Sequence, residues 1–129
     1  MSAAIVALAL VVADYDEAIA WYSRALGLDL LEDRDMGGGK RWVRMAPPGG
    51  GGAALLLAKA VNEEQASRIG NQSGGRVFLF LYTSDFEGDV ARMQAAGVRF
   101  AEAPRDEAYG RVVVFFDLYG NKWDLIQPA

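Results

Sequence analysis

The chain has 129 residues, 52% apolar and 23% charged, which fits one globular domain with enough hydrophobic side chains for a core. A net charge of -4 and a pI near 4.8 argue against a nucleic acid or an anionic membrane as the main partner, since neither would be attracted electrostatically. Cysteine and histidine are both missing, which removes disulfides, thiolate metal sites, the commonest transition-metal ligand and the usual general base at neutral pH.

The first segment, MSAAIVALALVV, is apolar but has no basic flank, and Asp14 and Asp16 follow too soon for a bilayer span. It is expected to be a buried strand from Ile5 to Val12, in a soluble, cytoplasmic protein. Asp14 and Glu17 form a capping-box pattern, and Tyr15, Ala18, Ile19, Tyr22 and Leu26 recur at helical spacing up to Gly27. That predicts a helix from Tyr15 to Leu26. Strands are expected over Leu28 to Asp33, Arg41 to Ala46 and Ala54 to Ala58, with Met36 to Gly39 as a loose turn and Pro47 to Gly52 as a break. The glycine run Gly49 to Gly52 has neither the Lys-Ser/Thr nor the strand-loop-helix setting of a phosphate cradle. Asn62 and Gln65 signal a short polar helix running to Ile69, and NQSGG, Asn71 to Gly75, is the expected hinge between two halves.

The second half repeats the first. ALALVVADYDEAIA (Ala7 to Ala20) and FLFLYTSDFEGDVA (Phe78 to Ala91) share an apolar run, an Asp, an aromatic, an acidic residue and a helix, offset by 71 residues. LGLDLLED (Leu26 to Asp33) then lies over AGVRFAEA (Ala96 to Ala103), with Gly27 on Gly97, so a strand is expected there too. The last stretch, RVVVFFDLYGNKWDLIQ (Arg111 to Gln127), reads as a hairpin with Asp117, Gly120 and Asn121 in its turn. Alternation puts Trp123 and Leu125 on one face of its final strand and Lys122, Asp124 and Ile126 on the other.

VVADYDEAIAWYSRALGL, SDFEGDVARMQAAGVRF and FFDLYGNKWDLIQ resemble the vicinal oxygen chelate superfamily, which includes glyoxalases, extradiol dioxygenases and bleomycin-resistance-type binding proteins. Leu118 stands where that family often has proline. The resemblance implies an α+β fold in which two βαβββ modules from an internal duplication form a half-open barrel around a cleft, usually in a homodimer. Module one would span 1–60, a linking helix 61–75 and module two 76–129, all within a single domain. Carried over, the four ligand positions of the family's divalent metal fall on Ala7, Leu56, Phe78 and Asp124, of which only Asp124 can coordinate. No metal and no cofactor is therefore expected.

Alternation then describes the cleft. If Ala7 faces inward, so do Ala9 and Val11; if Phe78 does, so do Phe80 and Tyr82, which makes a slot for a planar or apolar ligand. Phe78 and Phe80 could equally fill the barrel, whereas Tyr82 is expected to need a partner for a buried hydroxyl. Arg105 and Tyr109, in a loop before the seventh strand, could meet a ligand's carboxylate or phosphate, with a surface ion pair to Asp106 or Glu107 as the plainer role. Trp42 and Arg44 share a face and could stack on and charge-pair with a ligand, or form a dimer contact. Asp124 should pair with an arginine such as Arg44 or bind a hydroxyl or ammonium group of the ligand, because an isolated buried carboxylate is costly. The expected function is a metal-independent small-molecule binding protein of the glyoxalase/bleomycin-resistance type. The alternatives are a glyoxalase- or dioxygenase-like lyase or oxidoreductase with an atypical site, and a subunit whose filled cleft serves pairing with another protein.

Overall fold

The structure is a computed structural model that describes residues 2–129. Residues up to Ile69 and residues from Gly70 onward form two compact units. In the first, β1 (Ala7–Val12), α1 (Tyr15–Leu26), β2 (Asp29–Gly37), β3 (Lys40–Ala46) and β4 (Ala54–Lys59) build a four-stranded sheet of order β1-β4-β3-β2. β1 runs parallel to β4, and the other neighbours are antiparallel.

Local signals fix α1. The Asp14 carboxylate accepts from Glu17 N–H at 2.8 Å, satisfying a donor that the helix start would leave open. At the other end Gly27 takes φ 68° and the chain turns out through bonds from Gly27 and Leu28 N–H to Ser23 and Tyr22 carbonyls. The face carrying Ala18, Tyr22 and Ala25 is fully buried, as are Leu10, Val43, Met45 and Leu57 of the sheet. Burying side chains of this size stabilises by about 1.5–3 kcal/mol each for the larger ones.

Several element boundaries in this unit differ from expectation, some by a single residue. β1 begins at Ala7 rather than Ile5, β2 extends through Met36 and Gly37, and the turn is left to Gly38 and Gly39. The helix capped by Asn62 is a single turn, α2 (Glu63–Ala66), in which Asn62 Oδ1 accepts from Gln65 N–H while Gln65 Oε1 accepts from Val61 N–H.

The second unit repeats the plan with β5 (Val77–Tyr82), α3 (Phe86–Ala95), β6 (Arg105–Glu107), β7 (Gly110–Phe116) and β8 (Lys122–Pro128), in sheet order β5-β8-β7-β6. β5 is parallel to β8, as β1 is to β4. Asp85 caps α3 as Asp14 caps α1, and Gly97 has φ 78° where Gly27 has 68°. Both sheets are open, and each helix start, helix stop and ladder has its counterpart, so the duplicated βαβββ pattern is real.

One strand is displaced. The strand expected after Gly97, within the stretch that the repeat sets over Leu26 to Asp33, is reduced to a bridge of Phe100 with Phe115 and a bond from Ala101 N–H to the Val114 carbonyl; β6 itself lies at 105–107. Pro104 sits between the two pieces, has no N–H for the ladder, and restricts the residue before it, so the strand is interrupted there. Arg105, expected in a loop, is consequently in a strand opposite Val112.

The β7–β8 turn is built on Asp117. Its buried carboxylate accepts from the N–H groups of Tyr119, Gly120 and Asn121, from Asn121 Nδ2, and from Trp123 Nε1 at 3.0 Å. Asn121 Oδ1 in turn accepts from Gln72 N–H at 3.1 Å, and Gly70 lies against the Tyr119 carbonyl. The start of the expected hinge is therefore fastened to this turn, because the turn consumes its polar groups.

Candidate functional site

In each unit the sheet face away from the buried helix side carries a cross-strand row of side chains. In the second unit the row is Phe80, Asp124 and Val114, register partners on β5, β8 and β7. In the first unit the matching row is Ala9, Leu56, Arg44 and Glu32, on β1, β4, β3 and β2. The duplication thus sets Asp124 where the first unit has Leu56, and Val114 where it has Arg44.

Asp124 is only 7% exposed and its Oδ1 has no hydrogen-bond partner. Burial raises its pKa, partly opposed by the Arg105 charge and reinforced by Glu102. The expected pairing with Arg44 is not made: Arg44 Nε donates to Glu32 Oε1 at 2.6 Å. Trp42 Nε1 donates to the same oxygen at 3.3 Å, and Arg34 reaches Glu32 Oε2 at 3.3 Å. The hydrogen bond from Arg44 holds the Glu32 carboxyl below its usual range. Trp42 and Arg44 do share a face, and the residue that joins them is Glu32. It lay in the charged run LEDRD, where only the β2–β3 register reveals its neighbours.

Simple alternation fails in β5. A bulge between Val77 and Leu79 places two β5 residues against one step of β8, so Val77 pairs with Lys122, Leu79 with Trp123 and Phe80 with Asp124. Phe80 keeps company with Val77 rather than with Phe78, which sits at the bulge. A cavity of about 630 Å3 opens on this face, bordered by Val77, Phe80, Val114 and Lys122, with Arg76 and Glu102 among its other walls. Tyr82 is 69% exposed, so its hydroxyl needs no buried partner, contrary to expectation. It stands next to Ile126 on the same ladder.

Arg105 is already engaged. Its Nη1 donates to Glu107 Oε1 at 2.6 Å and to the Tyr109 hydroxyl at 3.5 Å, and its Nε donates to Glu102 Oε2 at 2.9 Å. The ion pair with Glu107 weighed for it is present; Glu102, rather than Asp106, is its other partner. Tyr109 is exposed in the β6–β7 turn.

The residues present do not suit the divalent metal that the resemblance implies. Ala7, Leu56 and Phe78 have no donor atoms, and among the described residues no three His, Cys, Asp or Glu side chains are grouped to hold an ion. Of the four carried-over positions, only Asp124 has a side-chain donor atom for a metal. No helix among the described residues is long and apolar enough to cross a membrane.

A chain of 55% identity over 128 residues, covering 98% of this chain and 95% of the other, is an uncharacterized protein of Shewanella frigidimarina. Among solved structures, UcmS2 is similar at 26% identity with a TM-score of 0.82, over 98% of both chains. TnmS3, an antibiotic binding protein from Streptomyces sp. CB03234, is similar at 30% identity with a TM-score of 0.78, over 100% of this chain and 99% of that one. The sequence profile of the Glyoxalase/Bleomycin resistance protein/Dioxygenase superfamily matches residues 4–125, which runs from before β1 through the Asp117 turn into β8. With the fold, the duplication and that match in agreement, the chain belongs to the glyoxalase/bleomycin resistance protein/dioxygenase superfamily.

Proposed function

We propose that this protein binds a small planar or apolar molecule without a metal ion, as a cytoplasmic homodimer, and that Asp124 gives the ligand its one buried polar anchor. The observation that carries this is the unpartnered Oδ1 of a 7%-exposed carboxylate, flanked in register by Phe80 and Val114. A buried acceptor without a donor costs free energy until something supplies one, and a ligand hydroxyl, amide N–H or ammonium group would do so. Phe80 offers an aromatic surface beside it, while Phe78, Tyr82, Arg105 and Tyr109 are candidates for its outer contacts. Superfamily membership and similarity to an antibiotic binding protein support small-molecule binding as the activity.

The test is a thermal-shift screen of an antibiotic panel, followed by calorimetry of each hit against the wild type and Asp124→Leu. A hit whose affinity falls at least tenfold in Asp124→Leu, and which binds equally with and without chelator, is the expected result. Binding that needs an added divalent ion, or that ignores the Asp124 substitution, overturns the proposal.

A further inference from the structure

In the first sheet, β3 and β4 are paired only from Val43 opposite Leu57 to Met45 opposite Leu55. β3 nevertheless starts at Lys40 and β4 continues to Lys59, so beyond Val43 and Leu57 the two strands part. Arg41 N–H, instead of joining the β3–β4 ladder, donates to the Tyr15 hydroxyl at 3.2 Å. The split encloses a pocket of about 500 Å3, within the range of small-molecule sites.

The chemistry of this pocket is one-sided. Trp42, Leu56, Ala58 and Val61 give it an apolar wall, and no Asp or Glu is among the residues that line it. Its three charged lining residues are all cations. Arg41 is paired with Asp33 at 2.7 Å and Asp16 at 2.9 Å, two carboxylates that more than offset its charge and lie outside the lining. Lys40 and Lys59 make no ion pair among the described residues. In a chain of net charge -4, an apolar pocket whose uncompensated charges are both positive is complementary to an organic anion.

We propose that the split between β3 and β4 is a binding site for a small aromatic carboxylate, its ring against Trp42 and Ala58 and its carboxylate toward Lys40 and Lys59. The site lies wholly within the first unit and does not involve Asp124, so it stands or falls separately from the function proposed above.

The probe is 2-naphthoate, with 2-naphthylmethanol as its neutral counterpart, titrated into the full chain and followed by 1H–15N NMR. Expected are saturable shifts at Arg41, Gln65 and the Trp42 indole N–H, and affinity for the alcohol at least tenfold weaker. Lys40→Ala combined with Lys59→Ala should weaken naphthoate by about tenfold or more, with an otherwise unchanged spectrum. The proposal is overturned if no saturable shift occurs, if the shifts map to β5 and β8, if acid and alcohol bind alike, or if the folded double variant binds as wild type. Should the double variant misfold, the comparison of acid with alcohol decides alone.

Discussion

Phe80 and Asp124 are register partners on the parallel β5–β8 ladder, yet Phe80 is 62% exposed and Asp124 7%. This inverts the usual assignment of apolar groups inward and charges outward. Since burial raises the Asp124 pKa, the folded chain holds that proton to higher pH than the unfolded chain does. Stability then falls as pH rises from the unfolded pKa through the folded one, and the penalty is complete above both. Asp124→Asn, which keeps the shape and removes the charge, should raise Tm at pH 7 by a few degrees, roughly 1 kcal/mol. Near pH 3 the two proteins should melt together. Thermal melts across pH 3–8 check this, and a wild type that is the more stable at pH 7 would contradict it.

How far the sequence discloses the fold depends on whether its signals are local. The bounds of α1 are legible because Asp14 and Gly27 act within one turn of the helix ends. The duplication is legible because the same signals recur at Asp85 and Gly97. The β5 bulge is not, because a ladder slip at Phe78 is decided by β8, and strict alternation therefore groups Phe80 with the wrong neighbour. Pro104 was a local warning that the sixth strand would break, and only the repeat hid it. Of the site, Asp124 stands out in sequence as a carboxylate in an apolar strand, whereas Glu32 and Val114 become neighbours of candidate residues only through cross-strand pairing.

The connector glycines test the close approach at Tyr119. Gly70 has φ 75° and a Cβ there would overlap the Tyr119 carbonyl oxygen, while Gly74 has φ 67° with open space around it. Gly74→Ala should cost about 1–2 kcal/mol from backbone conformation alone. Gly70→Ala adds a clash with backbone and should cost roughly 1–3 kcal/mol more. Urea unfolding of both variants checks the order, and equal midpoints would show that the turn yields freely.

Asp117→Ala should be among the most damaging substitutions. It strips acceptors from three backbone N–H groups, the Asn121 amide and the Trp123 indole, all in a buried or half-buried turn. A loss of roughly 3–5 kcal/mol is expected, since hydrogen bonds to a charged acceptor contribute about 1.5–3 kcal/mol each and do not simply add. Asp117→Asn retains part of the set and should fall between. Denaturant midpoints for the pair would expose a merely peripheral turn if both stayed near wild type.

Association follows from the sheet edges. β1 and β5 each end a sheet, and Leu8, Phe80 and Tyr82 on them are exposed apolar or aromatic side chains. Such edges call for cover, and a second copy related by a two-fold axis is the commonest way to provide it. Sedimentation velocity at micromolar concentration should show a dimer; a monomer throughout that range would refute the proposal.

The last expectation concerns metal. Tight binding of zinc, nickel or manganese needs three or more nitrogen, oxygen or sulfur ligands at fixed geometry, and of the four positions that the family resemblance supplies only Asp124 has a donor. Calcium or magnesium would accept oxygen alone, but they too need several ligands, and no grouping of three acidic side chains exists among the described residues to provide them. Asp14 and Asp85 are committed to capping helices, and Asp117 to its turn. Bound ions would therefore be held mainly by water and exchange freely. Elemental analysis of the purified protein should find well under one equivalent of any divalent metal, and titration calorimetry with zinc, nickel, manganese and magnesium should give no stoichiometric binding. A full equivalent that disappears in Asp124→Ala would mean that groups outside the aligned positions complete a site around Asp124, and would move the protein to the metalloenzyme side of its superfamily.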